Sequence, residues 1–330
     1  MPIRTFQLPQ DLDLMNTLVI EGFEYPDNPE WSIRDDEKEG MIDRVQGAKR
    51  MWPILRFLQF VSPIFKDVMR GFIAEEDGHP VGLINYMRQR DEPEWYLANV
   101  LVLPMNRRKG IARKLVMATL DELRKRKAEV AILEVVDGNL PAVELYLKLG
   151  FEIFTGSVIL DYEAGAAIPD LSLPAGWTYT PLSRFNWKPR FELAKRITPD
   201  NVARYEPLLE ARFRTPFIRP LFGTLFEKMG GNGSTRFALR TPGGEIAGFG
   251  WYWFRTKSGG VNSAELTLDP EHPELAPFLV AHAISTIQAI SPGRRIEFEL
   301  DQWQPALIQA AEAFGCKKRM GAHRMGLKFA

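Results

Sequence analysis

The stretch Val100-Leu101-Val102-Leu103-Pro104-Met105-Asn106-Arg107-Arg108-Lys109-Gly110-Ile111-Ala112 runs from a strand, through a basic loop, into a helix. The apolar run stops at Pro104. From Ile111 apolar residues recur at helical spacing, which predicts a helix over 111–127. A helix N-terminus presents unpaired N–H groups and a partial positive charge. Arg107, Arg108 and Lys109 add cations just before Gly110, Arg113 adds one in the first turn, and Gly110 permits close backbone approach. Together they predict a pyrophosphate cradle. The spacing is neither G-x-x-x-x-G-K-[S/T] nor G-x-G-x-x-G. Taken alone, the segment also reads as a solvated basic turn capping a helix.

Working outward, the chain repeats itself. Residues 72–84 read as strand, Gly-bearing turn and strand, and residues 237–249 do the same in other words. An apolar strand follows in each copy, over 95–103 and 261–268, ending at Pro104 and Pro270. A helix pattern comes next, over 111–127 and 274–290. Strands over 130–136 and 295–300 lead into short helices with an early proline, Pro141 and Pro305. Those helices end at Gly150 and Gly315, suited to the left-handed position that closes a helix. The order implies an α/β architecture. The run Glu163 to Gly176 is rich in Gly, Pro and Ala and reads as a linker. The expected division is therefore a domain over 1–162, a linker over 163–175 and a second domain over 176–330.

Composition narrows the function classes. The 330 residues suit two domains, and 45% hydrophobic with 25% charged residues is ordinary for a globular protein. Lys plus Arg is 42 and Asp plus Glu is 42, so overall charge gives nothing toward a nucleic-acid partner. One cysteine, Cys316, excludes a disulfide within the chain and a Cys-based zinc site. Four scattered histidines form no H-E-x-x-H pair, so no metal is expected. No signal peptide and no apolar run of about 20 residues is present, so the expectation is a cytoplasmic chain without a membrane partner.

A second run, Asn139-Leu-Pro-Ala-Val-Glu-Leu-Tyr146-Leu-Lys-Leu-Gly150-Phe151, lies on the short helix after the 130–136 strand. Ala142, Leu145 and Leu149 recur at helical spacing and should face inward, with Tyr146 on the flank of that stripe. Asn139 also reads as a helix N-cap, and Tyr146 as a half-buried aromatic. Arg107-x-x-Gly110-x-Ala112 after Val100-x-Val102-x-Pro104, with this second run behind it, resembles the coenzyme A-binding signatures of the GNAT acetyltransferase superfamily. The resemblance covers residues 2–162; the second copy shares only the fold pattern.

That resemblance implies two tandem domains, each a mixed, mostly antiparallel sheet flanked by helices. It implies acetyl-CoA as co-substrate, with the backbone of Val100, Leu101 and Val102 pairing with the pantetheine arm. The phosphates would lie at Arg107, Arg108, Lys109, Gly110, Ile111, Ala112 and Arg113, and Asn139 would touch the pantetheine. Tyr146 would protonate the departing thiolate, and transfer would be direct, in a ternary complex, to a primary amine of a small molecule or peptide. Glu134 matches a glutamate that some members use as base. Glu94, with Glu92 nearby, is its rival; both also read as a solvated strand end.

In the second copy Pro273, Ala276 and Phe278 fall where Arg107, Gly110 and Ala112 stand, and the short helix has no tyrosine. Prolines donate no N–H bond, so one working site per chain is expected. Trp52, Phe57, Phe60 and Phe65, interleaved with Arg50, Arg56 and Lys66, could mark a nucleic-acid or membrane surface but read more easily as a helix face packed on the sheet; the resemblance implies that this region shapes the acceptor pocket. Trp251, Trp253 and Trp303 read equally as core or pocket wall. Two alternatives stay open: a non-catalytic acyl-CoA sensor or interaction protein, and a transferase for a longer acyl-CoA.

Overall fold

The computed structural model describes residues 2–329 except 51, 54–55, 57–68, 89–93, 164, 166–167, 184, 215–231 and 258–259. The chain forms two compact units, Met1–Phe154 with His323–Ala330, and Thr155–Ala322.

In the N-terminal unit β1 (Ile3–Thr5), β2 (Arg70–Glu76), β3 (His79–Arg88) and β4 (Glu94–Val102) are consecutive antiparallel neighbours. β5 (Val130–Val136) then lies parallel to β4. A parallel pair needs a crossover, and α3 (Ile111–Lys125) supplies it. Its buried residues Ile111, Leu115, Val116, Thr119, Leu120 and Leu123 form one stripe, and Arg124 and Lys125 close it with the charge that suits a helix C-terminus. α3 and α4 (Leu140–Lys148) cover one sheet face, over Ile84, Trp95, Leu97 and Leu133. α1 (Leu12–Gly22) and α2 (Asp35–Arg50) cover the other, over Ile73, Leu83 and Leu101.

The C-terminal unit repeats this plan. β7 (Thr178–Pro181), β8 (Asn232–Arg240), β9 (Ile246–Arg255) and β10 (Asn262–Leu268) are antiparallel neighbours, and β11 (Ile296–Asp301) runs parallel to β10. α8 (Ala276–Ile290) is the crossover and α9 (Pro305–Ala313) the short helix. On the opposite face lie α5 (Lys188–Ile197), whose Leu193 packs with Ala238 and Phe249, and the one-turn helices α6 (Asp200–Ala203) and α7 (Glu210–Phe213).

The compact units do not follow one cut in the chain. β6 (Glu152–Tyr162) follows α4 directly, yet from Ser157 to Tyr162 it pairs antiparallel with β11. β12 (Lys317–Lys328) ends the chain, and from His323 on it belongs with the N-terminal unit, where Met325 joins the core and β5 is its neighbour. Each half thus covers the open strand edge left by a parallel pair with residues from the other half, and an uncovered edge would be a template for wrong pairing. The described part of 163–175 forms no helix or strand, in keeping with its composition. No helix among the described residues is long and apolar enough to cross a membrane.

Candidate acyl-transfer site

The site begins where β4 and β5 part. Their register runs from Glu94↔Val130 to Leu97↔Leu133, while β4 continues to Val102 and β5 to Val136. On its other side β4 pairs with β3, but Leu83 faces Leu101 and Asn85 faces Ala98, so one extra residue is accommodated. That bulge centres on Asn99, whose φ is +50°, and its amide donates to Asn85 Oδ1 at 3.0 Å. A bulge reverses side-chain parity. Trp95 and Leu97 face α3 before it; Val100 and Val102 face α3 after it, and Leu101 turns to α1. The fork leaves the β5-side edge of Ala98–Val102 without a strand partner.

The fork leads into the basic turn. Pro104–Asn106 is one 3-10 turn, Arg108 has φ +67°, and Gly110 (φ +74°) starts α3. The first helical bond is Lys114 N–H to Gly110 C=O at 3.1 Å, so the N–H groups of Ile111, Ala112 and Arg113 precede the ladder. A Cβ on Gly110 would meet nothing within 4 Å. Lys109 Nζ and Asn106 Nδ2 each donate to Glu76 Oε2 at 2.7 Å, and the Lys109 bond above all holds that carboxyl below its usual range.

Arg107 points elsewhere. Its Nε donates to Val102 C=O at 3.2 Å, and its Nη2 to Gly22 C=O at 2.9 Å and Glu24 C=O at 3.4 Å. The guanidinium lies 4.9 Å from the ring centroid of Tyr25. Arg107 therefore fastens the end of α1 to the end of β4.

On the β5 side of the fork the inward face of α4 is centred on Val143 and Tyr146, one residue round from a stripe centred on Leu145. Tyr146 is thus buried rather than flanking. Its ring meets Phe151 edge-on at 5.8 Å, and burial, then the neighbouring Tyr25, pushes its hydroxyl well above the usual phenol range. Asn139 occupies the N-cap position of α4 but makes no side-chain capping bond. Burial raises the Tyr25 hydroxyl above its usual range, with Arg107 and Asn139 acting in the opposite direction. Trp31 stacks edge-on with Tyr25 at 5.7 Å and covers Gly138, where a Cβ would come within 2.7 Å of the indole. Residues 22–31 thus bridge the loops that follow β4 and β5. Tyr25 and Trp31 escaped the sequence reading, because a Tyr-Pro-Asp-Asn-Pro segment reads only as turn.

The two candidate bases lie apart. Glu134 is the first β5 residue beyond the last β4 pair. Its Oε1 accepts from Arg324 Nε at 2.6 Å and its Oε2 from the Tyr96 hydroxyl at 3.4 Å. Glu94 is buried at the far end of β4 opposite Val130, roughly 20 Å of strand from Val100. The structure therefore sets Arg107 against Tyr25, places Tyr146 and Asn139 on α4 and at its start, sets Glu134 at the fork, and leaves Glu94 away from it. Glu92, Phe57, Phe60, Phe65 and Lys66 lie outside the described residues; Trp52 is half-buried and Arg50 and Arg56 are exposed.

The C-terminal unit has the same fork, with β10 and β11 paired only from Asn262↔Ile296 to Ala264↔Phe298. Here the pairing of β10 with β9 is unbroken from Ser263 to Leu268, so no bulge re-aims it. Gln304, before α9, lies across the edge: its Nε2 donates to Leu268 C=O at 3.0 Å and its Oε1 accepts from Leu268 N–H at 3.3 Å. Buried Asp269 follows, ion-paired with Arg196 at 2.6 Å. Trp251 and Trp253 stack at 4.0 Å on the β9 face beside α5, with Arg236 3.8 Å over Trp251.

Residues 30–151 match the model of the Acetyltransferase (GNAT) family. Over 92 residues, 24% of the chain, it is 34% identical to an N-alpha-acetyltransferase of Sulfurisphaera tokodaii. The match spans about half, 55%, of that relative's length. A tandem GNAT protein from the clavulanic acid biosynthesis pathway superposes with a TM-score of 0.61 at 16% identity, covering 99% of this chain and 98% of that one. A GCN5-related N-acetyltransferase of Sphaerobacter thermophilus gives 0.65 at 14% identity, covering 99% and 96%. At these identities the two structures speak for the fold alone.

Proposed function

We propose that this chain, whose residues 30–151 match the Acetyltransferase (GNAT) family, is a tandem GNAT acetyltransferase whose N-terminal unit binds acetyl-CoA and transfers the acetyl group directly to a primary amine. The observation that carries this reading is the open β4 edge at Ala98–Val102, which runs straight into the Gly110 helix start with Tyr146 across the fork.

The residues present fit the co-substrate. The free edge offers N–H and C=O groups to the amides of a pantetheine arm, as an added strand would. The early N–H groups of α3, with exposed Arg108, Lys109 and Arg113 around them, suit its phosphates. Arg107 contributes by holding the turn rather than by pointing at an anion.

Transfer requires a neutral amine, a polarised carbonyl and a proton for the departing sulfur. An N–H on the edge near Val100 polarises the carbonyl, and the Tyr146 hydroxyl, protonated at neutral pH, supplies the proton. Glu134, at the fork with Tyr96 and Arg324, is the better placed of the two carboxylates to receive the acceptor. Direct transfer agrees with Cys316, the lone cysteine, whose thiol is buried and pushed up to about 12 by burial and by Asp161; such a thiol is no nucleophile. The N-alpha-acetyltransferase relative favours including peptide α-amines among the acceptors tried.

Calorimetric titration of the purified chain with acetyl-CoA tests the reading. One site per chain is the expected result, and no binding sinks it. Thiol release in the presence of a panel of small amines and peptides with free α-amines then separates a transferase from an acyl-CoA sensor.

A further inference from the structure

We infer that Arg324, on the last strand of the chain, is a positioning residue for the acceptor: it ties down one oxygen of the Glu134 carboxylate and leaves the other to receive the amine at the fork. This rests on the acetyl-transfer reading above.

Strand parity puts the residues concerned on one face of the sheet. Trp95 and Leu97 on β4, Leu133 and Val135 on β5, and Met325 on β12 all belong to the core beneath α3 and α4. Tyr96, Glu134 and Arg324 alternate with them and so stand on the opposite face, the one that carries α1. β4, β5 and β12 are consecutive in the sheet, which makes the three side chains a row across adjacent strands. Glu134 follows the last β5 residue paired with β4, level with Ala98, where the open edge begins.

The two oxygens of Glu134 are unequally held. Oε1 accepts a charge-assisted bond from Arg324 Nε at 2.6 Å, a length typical of the strong class. Oε2 accepts only from the Tyr96 hydroxyl at 3.4 Å, long for an O–H donor. An ionised carboxylate has about four acceptor positions, so Oε2 retains room for the N–H of an amine. The Glu134 side chain is 29% exposed, enough for an acceptor to reach it. A glutamate without this anchor would lose its rotamer freedom when the acceptor binds. The bond to Arg324 has removed that freedom beforehand, which favours acceptor binding and leaves acetyl-CoA binding untouched.

The test uses the full chain with Glu134→Gln, Arg324→Gln, Arg324→Lys and the double variant Glu134→Gln/Arg324→Gln. Acetyl-CoA affinity is read by calorimetry. KM and kcat are read with whichever amine of the panel the wild type acetylates fastest. Glu134→Gln should raise the acceptor KM about tenfold. Arg324→Gln should raise it less, with acetyl-CoA affinity unchanged and kcat moving less than KM, and Arg324→Lys should recover part of the loss. The double variant should be no worse than Glu134→Gln alone, because Arg324 acts through Glu134. A readout free of turnover is the Arg324 Nε–H signal in ¹⁵N NMR of the wild type, which should move when that amine is added. Stripping a cation from beside the carboxylate would by itself strengthen its pull on a cationic acceptor, so a lower KM in Arg324→Gln overturns the inference. So do an unchanged KM, additive losses in the double variant, a loss confined to acetyl-CoA affinity, or an unmoved Arg324 signal, and each of these leaves the acetyl-transfer reading standing. Failure of the wild-type chain to bind acetyl-CoA, or to acetylate any amine of the panel, removes both.

Discussion

The Gln304 side chain pairs with both backbone groups of Leu268, at 3.0 and 3.3 Å, and so takes the place of a strand on the β10 edge. In the N-terminal unit the matching edge of β4 is open. Gln304→Ala should leave a buried N–H and C=O unpaired and cost about 1–3 kcal/mol, read as a lower denaturant midpoint. Acetyl-CoA stoichiometry should stay at one per chain, because Asp269 and Pro273 still replace the basic turn. A second site in this variant would mean that Gln304 alone closes the C-terminal unit.

Gly110 needs its left-handed φ, not the space around it. Gly110→Ala should therefore cost about 1–2 kcal/mol through backbone strain, measured by thermal unfolding. Gly110→Glu adds negative charge at the helix start proposed to hold the phosphates and should abolish acetyl-CoA binding. Wild-type affinity in the glutamate variant would place the phosphates elsewhere.

The bulge at Asn99 is a second backbone requirement. Asn99→Val puts a β-branched residue at positive φ and should destabilise by about 2 kcal/mol. Asn99→Gly keeps the bulge and loses only the bond to Asn85, so the smaller loss is expected there. Equal denaturation midpoints for the two variants would show that the bulge does not depend on φ at this position.

His282 sits among Tyr179, Phe237, Tyr252 and Phe278, with its Nδ1 3.1 Å from the Tyr252 hydroxyl. Burial lowers its pKa below 6.5. The unfolded chain then takes up this proton before the folded one, so stability rises with pH across that window. The contribution is complete above 6.5 and is lost as pH falls through it toward the lower folded value. Unfolding temperatures between neutral pH and about pH 5 should fall less in His282→Phe than in the wild type. Identical slopes would remove His282 from the acid response.

Much of the architecture follows from local pattern. The 130–136 strand, the helix from Ile111 and the proline-bearing short helices are where periodicity and turn residues put them, because each buries a continuous apolar stripe. Tyr146 and Asn139 stood out through the resemblance of their run to the superfamily's signature. The role of Arg107 did not, since Tyr25, which its guanidinium covers, lies in a chain turn some eighty residues upstream that carries no periodic signal.

What the sequence determined by itself is the repeat, the basic turn at a helix start, and the loss of that turn in the second copy, all properties of neighbouring residues. The tertiary structure alone decided which side of β4 stays open, that Arg107 faces Tyr25, that Glu134 rather than Glu94 stands at the fork, and that Gln304 closes the second edge. Those outcomes depend on strand register and on one bulge, and register is set by partners far apart in the chain, where a single added residue reverses every side chain beyond it.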